Sequence, residues 1–327
     1  MALFAGPRER RQFRAAILFI MPNLVGFLIF TAFPVVFSLG VSFTDWPILE
    51  RPVFVGLKNF RELLFDDPYF YKYLWNTLVL MAGMPAAIAG SLCLALVLSK
   101  KLKGQTIFRT LFYLPTITGG VATLILWRYL YDRDNGLVNR LIGGATYGLD
   151  RVVAAVAGLV GLDAPSLVWT GPDWLGSTPG WMSGVYWAKP AMILMGIWAG
   201  VGGTTMLLYI AALANVPDEL YEAAEIDGAG RWAKFWSVTW PMISPTTFFI
   251  VVMGVIGGLQ GGFMMAYVMT GGGPAGATTT VSFYIWSKAF TEYQMGYASA
   301  LAWVLFVIVF GLTIANWRIG NKLAHYQ

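Results

Sequence analysis

Six stretches of this sequence are apolar for about twenty residues or more: Ala15–Phe43, Asn76–Ser99, Phe108–Leu130, Ala191–Leu213, Ile243–Met269 and Ala298–Trp317. The hydrocarbon core of a bilayer is ~30 Å thick, a depth that a helix of ~20 residues crosses. Inside lipid a backbone N–H or C=O has no water to bond, so each run must be helical. Hydrophobic residues make up 57% of the 327 positions, more than a water-soluble fold can enclose. The pattern predicts an all-α integral membrane protein with six transmembrane helices. A further apolar run, Val152–Leu162, is too short to cross and is flanked by Asp150, Arg151 and Asp163. It reads as a helix at the interface or in water. The first run exceeds the apolar core of a signal peptide and no small-residue cleavage site follows it, so it is expected to remain as a span. Cys93 is the single cysteine, which leaves disulfides no part.

The net charge of +5 follows from topology and does not call for a nucleic-acid partner. Basic residues cluster at Arg8, Arg10, Arg11 and Arg14, at Lys100, Lys101, Lys103 and Arg109, and at Arg318 and Lys322. Six spans put these three segments on one side, and the excess of Lys and Arg assigns that side to the cytoplasm. Both termini are then cytoplasmic. The expected organisation is an N-terminal segment 1–14, a six-span domain 15–318 and a tail 319–327. Segments 44–75, 131–190 and 270–296 face outward, with Trp46, Trp75, Trp127, Tyr129, Trp187 and Tyr293 near their edges, as interfacial aromatics do. The loop 214–242 lies inside.

Ionisable residues are nearly absent from the six runs. Arg109 and Arg128 stand near the ends of the third, where a long side chain can reach the interface. A charge at mid-membrane costs ~2.5–3.5 kcal/mol and usually marks a proton or ion path, so proton-coupled transport has no machinery here. No Gly-x-x-x-x-Gly-Lys-Ser/Thr occurs, and the Gly-rich TGGGPAG (Thr270–Gly276) carries no Lys. His325, the lone histidine, falls in the tail, so neither a metal site nor His-based catalysis has partners. No residue reads as catalytic and none as a metal ligand.

The segment PDELYEAAEIDGAGRWAKFWSVTWPMISP (Pro217–Pro245) places Asp218, Glu219, Glu222, Glu225 and Asp227 together in a chain with only 12% charged residues. Pro217 suits a first helical turn, and Asp218 and Glu219 complement the positive end of the helix dipole. Leu220, Ala223, Ala224 and Asp227 share a shallow face by three-and-four spacing. Gly228 can take positive φ and end the helix. Arg231–Trp240 resumes a helical pattern rich in aromatics, and Pro241 and Pro245 mark its junction with the fifth span. A solvated hairpin between spans is the plain reading. The small face, the glycine turn and the aromatic second arm instead describe a knob shaped for a groove in a partner.

Glu222-Ala223-Ala224, Gly228 and Val238-x-Trp240-Pro241 at this spacing resemble the EAA motif of binding-protein-dependent ABC importers. Val238 and Trp240 stand where the family has Ile and Leu. Asp227-Gly228-Ala229 and Phe235-Trp236 match the form found in carbohydrate permeases. Met21–Trp46, Phe54–Phe60, Phe108–Pro115, Leu126–Asn139 and Thr270–Pro274 resemble, in order, the first permease subunit of the maltose and sn-glycerol-3-phosphate type. The resemblance implies the type I importer permease fold in a bacterial or archaeal membrane, with the EAA segment as a cytoplasmic coupling helix seated in an ATPase subunit. Glu222 would contact that ATPase, Ala223 and Ala224 would allow close approach, Gly228 would set the turn, and Asp227 and Pro241 complete the motif. It further implies a second permease chain, two ATPase copies that bind ATP and Mg, and an extracytoplasmic solute-binding protein that delivers sugar. This chain itself then needs no cofactor and is not an enzyme.

For the substrate path, polar and aromatic groups within the spans are the candidates. Gln260, Phe263 and Tyr267 in the fifth run and Trp198 in the fourth meet that description. Gln260 is balanced between an interhelical bond and a sugar contact. Relatives often have an acid where Met264 follows the first aromatic. Gly254, Gly257, Gly258, Gly261 and Gly262 suit close helix packing. Thr204 and Thr205 can bond their own helix. WTGPDWLGSTPGW (Trp169–Trp181) reads as ordered turns with aromatic anchors, either a docking surface for the binding protein or an interfacial cap. The competing functions are a permease for another polar solute, such as a glycerophosphate or polyol, a secondary carrier, and a scaffold or receptor without transport.

Overall fold

The computed structural model describes residues 7–100, 103–159, 171–176 and 184–323; Lys101, His325 and both flanks of the Trp169–Trp181 run lie outside them. Among the described residues the regular structure is helical apart from one short antiparallel hairpin, β1 (Thr44–Asp45) with β2 (Val53–Phe54). The principal helices are α1 (Arg11–Ser42), α2 (Phe70–Leu98), α3 (Gln105–Ile117), α4 (Val121–Leu130), α5 (Leu137–Leu159), α6 (Gly184–Gly200) and α7 (Gly203–Ala214). They continue as α8 (Asp218–Ile226), α9 (Arg231–Gln260), α10 (Phe263–Met269), α11 (Val281–Trp286) and α12 (Met295–Leu323). Among the described residues α1, α2, α9 and Met295–Arg318 of α12 are each long and apolar enough to cross a membrane. The pairs α3–α4 and α6–α7 pass only together, bent by 96° and 42°, and counting each pair once gives six crossings. Leu18, Phe19, Phe30 and Phe33 of α1 are among many large apolar side chains left exposed, as lipid-facing residues are.

Two compact units divide the chain: residues 1–67 with 285–304, and residues 68–284 with 305–327. In the first, Asn59 of the VGLKNF motif is buried and donates to Ser42 O (3.0 Å) and Thr44 O (2.9 Å), closing the hairpin onto the end of α1. Tyr297 donates to Asp67 Oδ2 at 2.6 Å. Gly296 lies so close to Thr44 O that no Cβ could be added.

Two apolar cores stand out among the described residues of the second unit. One joins α2, α7 and α9 through Leu92, Ala95, Met206, Tyr209, Ile243 and Ile250. The other joins α4, α6 and α10 through Leu124, Trp127, Met192, Met195 and Met269, with Tyr131 and Trp174 beside them. Small residues let helices approach: a Cβ on Gly254 would meet Met84 Sδ at 2.6 Å, and one on Gly258 would meet Met81 Cε at 2.7 Å. The packing role expected of the glycines is met at these two. At Gly257 nothing lies within 4 Å.

Three of the expected continuous spans differ. The third breaks at Gly119–Gly120, where Gly120 takes φ +89°, ψ −154°, a conformation open to glycine alone. Thr118 donates to Leu114 O (3.0 Å) and Thr123 to Thr118 O (2.9 Å) across the break. The fourth bends at Gly202 (φ +100°) and Gly203 (φ +52°). The fully buried Ser91 of α2 repairs it, donating to Gly200 O and accepting from Gly202 N–H, both at 3.0 Å. The fifth window ends early: α9 stops at Gln260, Gly262 takes φ +85°, and Phe263 to Met269 form the separate α10. Ser282 donates to Gln260 O (2.7 Å) and Gly261 O (3.2 Å) at that break.

Pro241 does not mark a junction. α9 runs from Arg231 through Gln260, passing Pro241 with a widened π-helical turn over Phe235–Thr239 in which Trp240 N–H bonds Phe235 O. A proline lacks its N–H and clashes with the carbonyl four residues back, and a wider turn absorbs both. Pro34 in α1 follows the same turn at Leu28–Ala32. Arg109 reaches neither end of its own helix but donates to Leu98 O at 2.9 Å, capping α2. The helix expected at Val152–Leu162 begins much earlier, at Leu137, and is followed to Leu159.

The run after α10 is tied to α2 by polar contacts. Asn76, almost fully buried, gives its amide to Gly276 O (2.9 Å) and Thr279 O (3.0 Å), and Val281 N–H bonds Thr77 Oγ1 at 3.1 Å. Asn76→Leu strips partners from two carbonyls, a loss of roughly 2–4 kcal/mol. A lowered thermal unfolding midpoint of the purified chain in detergent is the expected result; an unchanged midpoint would show that the loop holds itself.

Candidate functional site

The acidic segment folds as an elbow. Pro217 caps α8 in extended conformation (φ −62°, ψ 134°), and Asp218 and Glu219 occupy the first turn. At the other end Gly228 N–H bonds Glu225 O (3.0 Å) and Ala229 N–H bonds Ala224 O (2.8 Å), the paired contacts of a Schellman motif. Gly228 sits at φ +78°. The turn expected there from the glycine is present.

Two contacts hold α8 to the start of α9. Tyr221 OH and Thr239 Oγ1 are 3.0 Å apart, and Lys234 Nζ lies 3.0 Å from Glu225 Oε2. The ion pair is largely exposed on its Glu side and contributes little. The apolar anchorage matters more: Tyr221, Phe235, Val238 and Trp240 pack on the α2–α7–α9 core. Of the expected shallow face, Leu220, Ala223 and Asp227 are exposed and Ala224 is half-buried. Glu222 is exposed, and Pro241 is half-buried with its carbonyl accepting from Ser244. Beside them Ile226 is 88% and Trp232 75% exposed.

The substrate-path candidates separate. Phe263 and Tyr267 stack at 5.6 Å, and Phe283 of α11 stands 6.1 and 6.2 Å from them, forming a three-ring cluster. Tyr267 also lines a recess of about 480 Å³ with Arg128, Gly176, Thr270 and Gly271. A second cleft of about 540 Å³ is lined by Thr77, Met81, Gly254, Gly258 and Thr280, together with Thr204 and Thr205. Gln260 lines neither; its side chain is exposed and its carbonyl is taken by Ser282. Trp198 also lines neither and stands edge-on to Trp127 at 5.4 Å. Those rings continue through Tyr131 and Trp174 to Trp187, so Trp198, itself exposed, stands at the outer end of a row of aromatics. Tyr131, just beyond α4, donates to Ala191 O at 2.8 Å, and burial pushes its phenol up to about 12. Trp174, from the run read as aromatic anchors, is buried and donates to Asn139 Oδ1 at 2.8 Å.

Sequence reasoning passed over Phe283 and treated Arg128 only as an interfacial cation. Phe283 follows the TGGGP loop in an ordinary apolar stretch, and only the fold brings it to Phe263. Among the described residues no group of three His, Cys, Asp or Glu side chains could hold a metal.

Repeated long apolar helices and two bent pairs define a multi-pass helical membrane protein. The model of the family described as binding-protein-dependent transport system inner membrane component matches residues 15–318, and the chain belongs to that family. It is 35% identical over 322 residues to the probable ABC transporter permease protein YesP of Bacillus subtilis, covering 97% of this chain and 94% of that one. To the multiple sugar-binding transport system permease protein MsmF of Streptococcus mutans it is 30% identical over 306 residues, covering 93% and 94%. A chain in the crystal structure of a bacterial alginate ABC transporter, complexed with its alginate pentasaccharide-bound periplasmic protein, superposes with a TM-score of 0.75. The two are 22% identical and each is covered to 99%, a likeness of fold.

The positive φ of Gly228 makes a direct test. Gly228→Val forces a β-branched residue into the left-handed region at a cost of ~1–3 kcal/mol, whereas Gly257→Ala meets nothing within 4 Å. Thermal unfolding in detergent is expected to fall for the first and to stay near the parent for the second.

Proposed function

We propose that this chain is one permease subunit of an ATP-driven importer and forms half of the path for a sugar. The observation that carries the reading is the elbow: an acidic helix with exposed Ile226 and Trp232, fixed by Tyr221 and Phe235 to the core of α2, α7 and α9. A push on such an elbow moves the spans and is not lost in a loose loop. Its partner is a cytoplasmic ATPase subunit, present in two copies, that binds ATP and Mg. A second permease chain completes the path, and an extracytoplasmic solute-binding protein delivers the solute. Both termini and the elbow lie in the cytoplasm. Arg11 and Arg14 precede α1 or open it, Lys103 lies between α2 and α3, and Arg318 ends the last span, all on that side.

A sugar substrate is supported by the names of relatives, which include a multiple sugar permease and, at 29% identity, a starch degradation products permease. The rings of Phe263, Tyr267 and Phe283 offer the apolar faces on which a sugar ring packs. Force passes from the ATPase through Glu222, Ala223 and Ala224, with Asp227 and Gly228 setting the turn that presents them. Ala223→Asp places a charge on the exposed shallow face without touching the core. In vesicles carrying the whole importer, this variant is expected to insert normally and to lose most uptake while ATP hydrolysis continues. Uptake at the parent rate would overturn the elbow's role.

A further inference from the structure

The ends of the spans that face outward on this reading carry three cations, against the usual preference for basic residues inside. They are Lys72 near the start of α2, Arg128 near the end of α4 and Lys189 near the start of α6. None of these three takes part in the ion pairs seen at Lys234–Glu225 and Lys288–Glu292. Lys72 donates to Ala275 O at 2.8 Å.

Arg128 is the one that opens on a recess. Its guanidinium makes one long bond, Nη1 to Val268 O at 3.4 Å, and has five N–H donors to give. It lines the 480 Å³ recess beside Tyr267, whose ring stacks on Phe263 and stands near Phe283. Asp173 accepts Gly176 N–H at 2.8 Å and is not among the residues that line the recess. An aromatic platform with a free planar cation at its edge matches a pyranose ring bearing a carboxylate, which a guanidinium binds through two parallel N–H bonds. Arg128 is exposed, so its N–H groups are open to a carboxylate that enters the recess.

We propose that the solute is an acidic sugar, a uronate-containing oligosaccharide, and that Arg128 binds its carboxylate beside Tyr267. The proposal rests on the importer reading above and names its substrate class. A phosphate ester carries more charge than the single guanidinium that lines this recess would meet, so the carboxylate is the better match.

The test uses the whole importer with its binding protein in vesicles, and compares uptake of digalacturonate, its methyl ester, maltose and a glucose phosphate. The expected result is saturable, ATP-dependent uptake of digalacturonate in preference to the other three. Arg128→Gln is expected to lower the ratio of digalacturonate to methyl ester uptake about tenfold or more, the scale of one charge-assisted bond, and Arg128→Lys to restore part of it. Preference for maltose, the ester or the phosphate, or an equal loss of all solutes in Arg128→Gln, would overturn the acidic-sugar proposal while leaving an importer. No ATP-dependent uptake of any sugar by the parent complex would overturn the importer reading itself.

Discussion

Backbone groups with no water to bond decide most of this structure. A span that runs unbroken satisfies them by itself, but three runs here break, and each break is closed by a hydroxyl. Ser91 gives and receives a bond at the bend between α6 and α7. Ser282 takes the last carbonyls of α9. Thr118 and Thr123 seal the sharp turn between α3 and α4. Glycines permit these turns, because positive φ is disfavoured in residues that carry a Cβ, and the hydroxyls make the turns affordable away from water. Asn76 does the same for the loop after α10, which otherwise would bring bare carbonyls against α2.

These repairs shape the candidate path. Because α9 ends at Gln260, Phe263 and Tyr267 belong to a short separate helix, which meets Phe283 from the far side of the TGGGP loop. The loop is therefore more than a connection. Its glycines at 271 and 272 take positive φ, and Thr279 Oγ1 closes it on Gly272 O at 2.9 Å, so the segment that returns Phe283 is firmly held. At the other end of the second unit, the π-helical turn before Pro241 lets the aromatic arm and the span form one helix. On the proposed reading, that continuity is what allows the elbow to act as a lever.

The resemblance to importer permeases was legible because the elbow is built from local signals. Pro217, the acids of the first turn, the two alanines and Gly228 each act through their own backbone, and the structure forms helix and turn where those signals stand. The glycines of the fifth run were legible too, since small residues at four-residue spacing have one common use in a membrane. The substrate path was less so. Gln260 and Trp198 were singled out by residue type, yet one is exposed with its carbonyl engaged by Ser282 and the other stands edge-on to Trp127, away from both recesses. Arg128 was visible only as a cation near a span end.

By itself the sequence determined that the chain is a multi-pass helical membrane protein with an acidic elbow, because hydrophobic length and helix caps are properties of contiguous residues. Only the tertiary structure decided where spans break, which hydroxyls repair them, and that Arg128 shares a recess with Tyr267. The bend at Gly202 and the recess depend on groups more than a hundred residues apart, Ser91 with Gly202 and Arg128 with Val268, and no local pattern records such a meeting.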